Sequence, residues 1–156
     1  MEWITIFFFC GLFIIVTGVE HAGALQILAD WTLSLTAGNF FVTTLVVLWV
    51  SAILSAIVDN IPFVATMIPM IKGMLPAFQQ AGIPLQQAEG LWWALSLGAR
   101  LGGNGTLVGA SANLIVAGIA EQHGVPFRFF PFMKVAFPLM LLQILISTIY
   151  VWWRYL

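Results

Sequence analysis

Apolar residues run through this chain in long blocks with short polar interruptions, and the block lengths assign the elements. Trp3 to Val19 carries no charge and is just long enough to span a hydrocarbon core, so residues 3–19 are read as a transmembrane helix ended by Gly18, Glu20, His21 and Gly23. Residues 24–36 are less apolar, with Gln26, Asp30, Thr32 and Ser34. Leu25, Leu28 and Thr32 share a helical face there, with Ile27 and Trp31 close by. That suits an interfacial helix with Trp31 at headgroup level, against the alternative of a simple loop. Phe40 to Val58 is a long uncharged run stopped by Asp59-Asn60-Ile61-Pro62. The apolar piece after it, Phe63 to Ile71, is too short to cross alone, so residues 40–72 read as a re-entrant hairpin. Lys72 to Glu89 reads as a Pro/Gly/Gln-rich aqueous loop. Gly90 to Leu101 is a short helical piece, Gly102 to Asn113 an unwound stretch with four glycines, and Leu114 to Ala120 the end of the crossing. Residues 90–120 therefore form a broken transmembrane helix. Glu121 to Lys134 is a loop, and residues 135–154 are the last span, anchored by Trp152, Trp153, Arg154 and Tyr155.

Composition strengthens this picture. The chain is 62% hydrophobic and 7% charged, with mean hydropathy +1.05, whereas soluble domains are about a quarter charged. The fold class is all-α and integral to the membrane, and the expected location is a multi-pass protein of the inner membrane, with the lipid bilayer as its first partner. A net charge of -1 offers no basic surface, so no nucleic-acid partner is expected. The single Cys10 excludes an internal disulfide. No basic region precedes the first apolar run, and no small-residue cleavage site follows it, so that run is read as a retained helix. Arg128 and Lys134 make 121–134 the most basic short loop and assign it to the cytoplasm.

Candidate chemistry concentrates in Ser55–Thr66 and Leu101–Asn113, where helix breakers and polar residues interrupt apolar runs. Non-helical backbone at membrane depth persists only where protein or a water-filled cavity satisfies it, and broken helices are how transporters build ion sites. Pro62 suits the first turn of a helix, and Asp59 or Asn60 is placed to cap it. Two readings of Asp59 stand side by side: ion coordination or proton coupling, and a cap that holds its own turn. Asn104, Thr106, Ser111 and Asn113 offer neutral oxygen and amide ligands suited to a hard cation or small oxyanion. Gly98/Gly102 and Gly105/Gly109 fit the small-xxx-small dimer pattern, but their clustering with polar residues favours unwinding over dimer packing. Arg100 has three readings: a pair with Asp59, an anion contact, or a snorkelling side chain. His21 and His123 fall in expected loops. No nucleophile stands with a base and an orienting group, and no Cys/His metal spacing occurs, so no catalytic residue is assigned, and neither an enzyme nor a resident cofactor is expected.

The segments Val-Asp-Asn-Ile-Pro-Phe-Val-Ala-Thr-Met-Ile-Pro (58–69) and Gly-Gly-Asn-Gly-Thr-Leu-Val-Gly-Ala-Ser-Ala-Asn (102–113) resemble ArsB/NhaD-type permeases of the ion transporter superfamily. The continuation Ala-Gly-Ile-Ala-Glu-Gln-His-Gly (117–124) with Phe137-Pro138 is most similar to the P protein and citrate transporter-like branch, C-terminal half. The resemblance implies two inverted repeats, each with a re-entrant hairpin and a broken helix, and secondary transport of a small ion, an inorganic or carboxylate anion or an arsenite-type solute. It implies Na+ or H+ as the coupling ion and a homodimer when complete. It places Asp59, Asn60, Pro62 and Thr66 at the hairpin tip and Asn104, Gly105, Thr106, Ser111 and Asn113 in the broken helix. Asp59, Asn60, Thr106 and Asn113 are its candidate Na+ ligands. Arg100 departs from the small residue expected before Leu101-Gly-Gly and adds positive charge near the site. Family members are far longer than this chain, which carries one repeat's worth. The expectation is therefore a partial chain lacking an N-terminal repeat, or one that needs a second chain, with a non-transporting fragment or assembly subunit as the alternative.

Overall fold

The computed structural model describes residues 3–125 and 128–156, with backbone alone at 4, 5, 8, 9 and 12. Glu2 and the middle of the 121–134 loop lie outside those residues. Among the described residues every regular element is helical: α1 (Trp3–His21), α2 (Ala24–Leu35), α3 (Phe40–Ser55), α4 (Asn60–Gln80), α5 (Leu85–Gly102), a 3-10 turn (Gly103–Gly105), α6 (Ser111–Gln122) and α7 (Phe129–Tyr155).

Helix α5 is the centre of the packing. It lies most extensively against α3, then against α7 and α4, while α2 packs on α4. α1 and α2 are bent by 67° from Phe13–His21 to Ala24–Leu35, through Gly23 at φ +75. Among the described residues two helices, Asn60–Gln80 and Phe129–Tyr155, are each long and apolar enough to cross a membrane.

Several boundaries move from the sequence reading. The aqueous loop expected over 72–89 shrinks to residues 81–84, because α4 continues through Lys72 and Pro76 to Gln80 and α5 begins at Leu85. Pro69 and Pro76 sit inside α4; each removes one helical hydrogen bond, a loss that flanking turns and neighbouring helices can absorb in membrane helices. α4 comes close to α2 at Gly73, where a Cβ would fall 2.6 Å from the tip of the exposed Gln26 side chain. The helix expected to end at 72 thus runs to Gln80, and at 21 residues it is long enough to cross, which removes the premise that this piece is too short to span. α5, at 18 residues, is about 27 Å long rather than a short piece. α7 starts at Phe129, so Lys134 is helical and the span is 129–155 rather than 135–154. Along α2 the buried stripe is Leu25, Ala29 and Thr32, and Leu28 points outward.

Beside an apolar core that includes Leu48, Ile71, Phe78 and Leu91, several hydroxyls turn inward while many large apolar side chains turn outward. Thr43, Thr44, Ser51, Ser55 and Ser147 are buried, while Phe7, Ile14, Ile115, Leu142, Ile149 and Trp153 are exposed. A lipid surround permits this, because apolar side chains gain little by turning inward there. Most inward hydroxyls are satisfied locally, as Thr44 Oγ1 donates to Phe40 O at 2.8 Å and Ser147 Oγ to Gln143 O at 2.8 Å, whereas the buried Ser51 Oγ has no hydrogen-bond partner among the described residues. Trp49 Nε1 reaches across to Thr148 Oγ1 at 3.1 Å and ties α3 to α7.

What joins α3 to α5 is the absence of side chains. Gly90, Ala94, Gly98 and Gly102 recur every four residues on one buried face of α5. A Cβ at Gly98 would fall 2.8 Å from Ser51 Cβ, and one at Gly102 would fall 2.5 Å from Ala52 Cα. Gly98 and Gly102 therefore serve helix packing within the chain, which corrects the preference for unwinding at these two positions. Only the glycines beyond Gly102 lie outside α5.

This contact carries a prediction. Gly102→Ala should destabilise the protein by about 1–3 kcal/mol, the range for overpacking a close interface. Gly118→Ala, on an open face of α6 with nothing within 4 Å, should be neutral or slightly stabilising. Denaturant unfolding in detergent compares the two, and equal effects would remove the packing role from Gly102.

Candidate functional site

Two chain breaks meet beside α5. The first is residues 56–59, between the carbonyl end of α3 and the start of α4. The second is 103–110, where α5 tightens into the 3-10 turn, runs extended at Thr106 and restarts as α6 at Ser111. Each break brings one helix C-terminus and one helix N-terminus together, so negative and positive partial charges alternate around the junction.

Cross-bonds hold the breaks to each other. Thr106 Oγ1 donates to Ala56 O, the last turn of α3, and accepts from Gly109 N at 3.0 Å. Ser55 Oγ lies against both Ala99 O, at 2.7 Å, and the side-chain amide of Asn60. A hydroxyl has one proton to give. If Ser55 donates it to Ala99, an Asn60 amide turned with its NH2 inward donates to Ser55, and both contacts are satisfied. Asn113 splints the second break from the α6 side: its Nδ2 donates to Gly103 O and Thr106 O, both at 3.0 Å. Gly103 and Gly109 face one another so closely that a Cβ on Gly109 would fall 2.7 Å from Gly103 O, and one on Gly103 would fall 2.9 Å from Asn60 Oδ1.

Asp59 caps α4 and touches α6 through a side chain. Its Oδ1 accepts from Ile61 N at 3.2 Å in the first turn of α4, and its Oδ2 accepts from Ser111 Oγ at the start of α6. α6 has no side-chain cap from its own N-cap residue, Ala110, so this carboxylate is the acid nearest its positive end among the described residues. The capping reading of Asp59 is present in the geometry. Pro62 lies in the first turn of α4, as its fixed φ and missing N–H allow.

The structure brings Asp59, Asn60, Thr106, Ser111 and Asn113 into one network. Thr66 stands apart and bonds only to Phe63 O of its own helix, at 2.8 Å. Asn104 is exposed with no hydrogen bond among the described residues, and Gly105 packs on Met140 of α7. Arg100 is exposed in the last turn of α5 and forms no ion pair with Asp59. The sequence reading assigned no role to Ser55, Gly103 or the carbonyls of Ala56 and Ala99. The four-residue spacing of Ser51 and Ser55 on α3 is the signal that could have exposed Ser55. A carbonyl oxygen leaves no mark in a residue's identity.

A family model for citrate transporters (CitMHS) matches residues 1–98. The chain belongs to the citrate transporter family. An uncharacterized transporter of Mycobacterium tuberculosis is 41% identical over 155 residues, covering 99% of this chain and 35% of the relative. The 46 kDa membrane protein of Mycobacterium leprae is 41% identical over 157 residues, with 100% and 35% covered. The P protein of Homo sapiens is 40% identical over 155 residues, with 96% and 18% covered. This citrate-transporter-family chain thus spans about a third of the length of its mycobacterial relatives and under a fifth of the P protein. The resemblance to the P protein and citrate transporter-like branch holds, and the network just described lies in a chain of a membrane transporter family.

Thr106→Val should leave Ala56 O and Gly109 N without their partner, a loss of about 1–3 kcal/mol for buried unsatisfied groups. Amide hydrogen exchange at Gly109 should accelerate. Thr66→Val, which removes only a bond within α4, should leave Gly109 protected. Unchanged exchange in Thr106→Val would dissolve the link between the breaks.

Proposed function

We propose that this chain supplies one half of the ion site of a secondary transporter for a small anion, an inorganic oxyanion or a carboxylate, coupled to Na+ or H+ in the inner membrane. The observation that carries the reading is the pinning of one helix break onto the other through Thr106–Ala56 and Ser111–Asp59. Paired breaks of this kind give a site both helix N-termini, which suit anions, and freed carbonyls, which suit cations. Asp59, Asn60, Thr106 and Asn113 supply the hard oxygen ligands that Na+ takes, and Asp59 alone among them can also carry a proton. A carboxylate in a membrane interior costs about 2.5–3.5 kcal/mol on insertion scales, which is tolerable where a cation or proton visits it.

A second reading is favoured by α6, which buries none of its residues against the rest of the chain. On that reading the chain is a membrane subunit that transports only when another chain covers α6, with the complete assembly a dimer.

Asp59→Asn keeps a capping oxygen and removes the charge. In the complete transporter it should abolish ion-dependent flux into proteoliposomes while leaving membrane insertion intact. Flux at the original rate would end the coupling role of Asp59. Flux from wild-type protein only after a second chain is added would select the subunit reading.

A further inference from the structure

A cleft of about 730 Å³ opens between α4, α5 and Phe13 of α1, lined at one end by Asn60 and Ile61 next to Asp59. Ligand cavities fall in the same range, about 300–1,000 Å³, and combine apolar walls with a few convergent polar groups. This one follows that design. Ile61, Val64, Ala65 and Ile68 of α4 form one wall, and Trp92, Leu95 and Ala99 of α5 the other. The polar groups lining it are Asn60, Ser96 and Arg100.

Those groups are ordered along the cleft. Trp92, Ser96 and Arg100 are spaced four residues apart, so they form one stripe on α5, with tryptophan and guanidinium about 12 Å apart along the axis. Trp92 stands toward the end of α5 where the neighbouring Trp93 stacks on Tyr155, in the aromatic terminus of α7. Arg100 stands at the opposite end, beside the second chain break. Asn60, whose amide also touches Ser55, brings a polar group to the same end from α4. Arg100 has no ion pair or hydrogen bond among the described residues and is the only charged group lining the cleft.

Arg100, exposed at one end of the cleft and without a carboxylate partner among the described residues, is free to take an anion. One guanidinium neutralises one negative charge, and a second or third carboxylate on the same ligand would be desolvated without a partner. Its planar fork suits a carboxylate, which it can grip with two parallel N–H donors. We propose that this cleft binds a small organic monoanion with an apolar body, its carboxylate on Arg100, Ser96 and Asn60 and its body between Val64, Ile68 and Trp92. The inference rests on the cleft alone and stands whether or not the chain transports.

Trp92 lines the cleft and reports its occupancy. Intact protein in nanodiscs of zwitterionic lipid is titrated with octanoate at pH 8, with tryptophan fluorescence as the readout and Trp92→Phe as the identity control. Octanoate should change the signal saturably, and the change should vanish in Trp92→Phe. Octanamide, which lacks the charge, and acetate, which lacks the body, should each bind about tenfold or more weakly. Citrate should leave the signal unchanged. Arg100→Gln should lose octanoate binding about tenfold or more, with Arg100→Lys restoring part of it. Ala65→Phe, which keeps Arg100 and narrows the cleft, should lose binding as well and serves if the arginine variant does not fold. Equal affinity of octanoate and octanamide, or of wild type and Arg100→Gln, would overturn the proposal. So would displacement of octanoate when phosphatidylglycerol replaces the zwitterionic lipid, which would assign the cleft to a lipid headgroup.

Discussion

The rest of the structure depends on how near the backbone of α5 comes to that of α3. In water two helices meet because burying side chains is favourable. In lipid that force is weak, and contact is won by removing side chains so that main-chain surfaces fit together. Gly98 and Gly102 do this against Ser51 and Ala52. The closeness brings Ser55 within 2.7 Å of the carbonyl of Ala99, and so sets where both helices end relative to one another. A single added methyl at this seam would therefore shift the tip after α3 and the break after α5 together.

Once the two helix ends are side by side, the polar residues downstream have partners within reach. Thr106 takes the carbonyl of Ala56, Asn113 takes two carbonyls of the break, and Asp59 accepts from the first turns of both α4 and α6. Each of these groups would be costly alone in an apolar medium, and each is satisfied by another member of the set. Low dielectric strengthens such a network when it is complete and penalises it when one member is missing. The conformation of the break is thus a collective property of two chain segments about fifty residues apart.

The reading from sequence was most accurate where hydrophobic pattern meets helix breakers. Asp59-Asn60-Ile61-Pro62 starts α4, although α3 already ends at Ser55 rather than at the expected Val58, and the glycines after Leu101 mark the second break, because backbone freedom and capping are written in residue type. It was least accurate where tertiary contact overrides local signal. Lys72, Pro76 and the glutamines after it suggested water, yet α4 continues as a helix through them, close to α2 at Gly73. Gly98 and Gly102 suggested unwinding, yet they are helical and buried, since what decides their role is a neighbouring backbone that no local window contains. The membership of the network was half legible: Asp59, Asn60, Thr106, Ser111 and Asn113 stand out as polar residues in apolar runs, whereas the main-chain oxygens they bind have no signature.

α6 stands outside all of this packing. It is a complete helix, so its backbone is satisfied internally wherever it lies, but no residue of it is buried. Melting it in lipid would expose amides with no water to receive them, whereas rotating it as a rod disturbs no core. The restraints recorded on such a rotation are the hydrogen bonds of Asn113 and Ser111 at its first turn. In mechanical terms α6 is a lever clamped at one end, at the turn that Ser111 and Asn113 tie to the chain breaks.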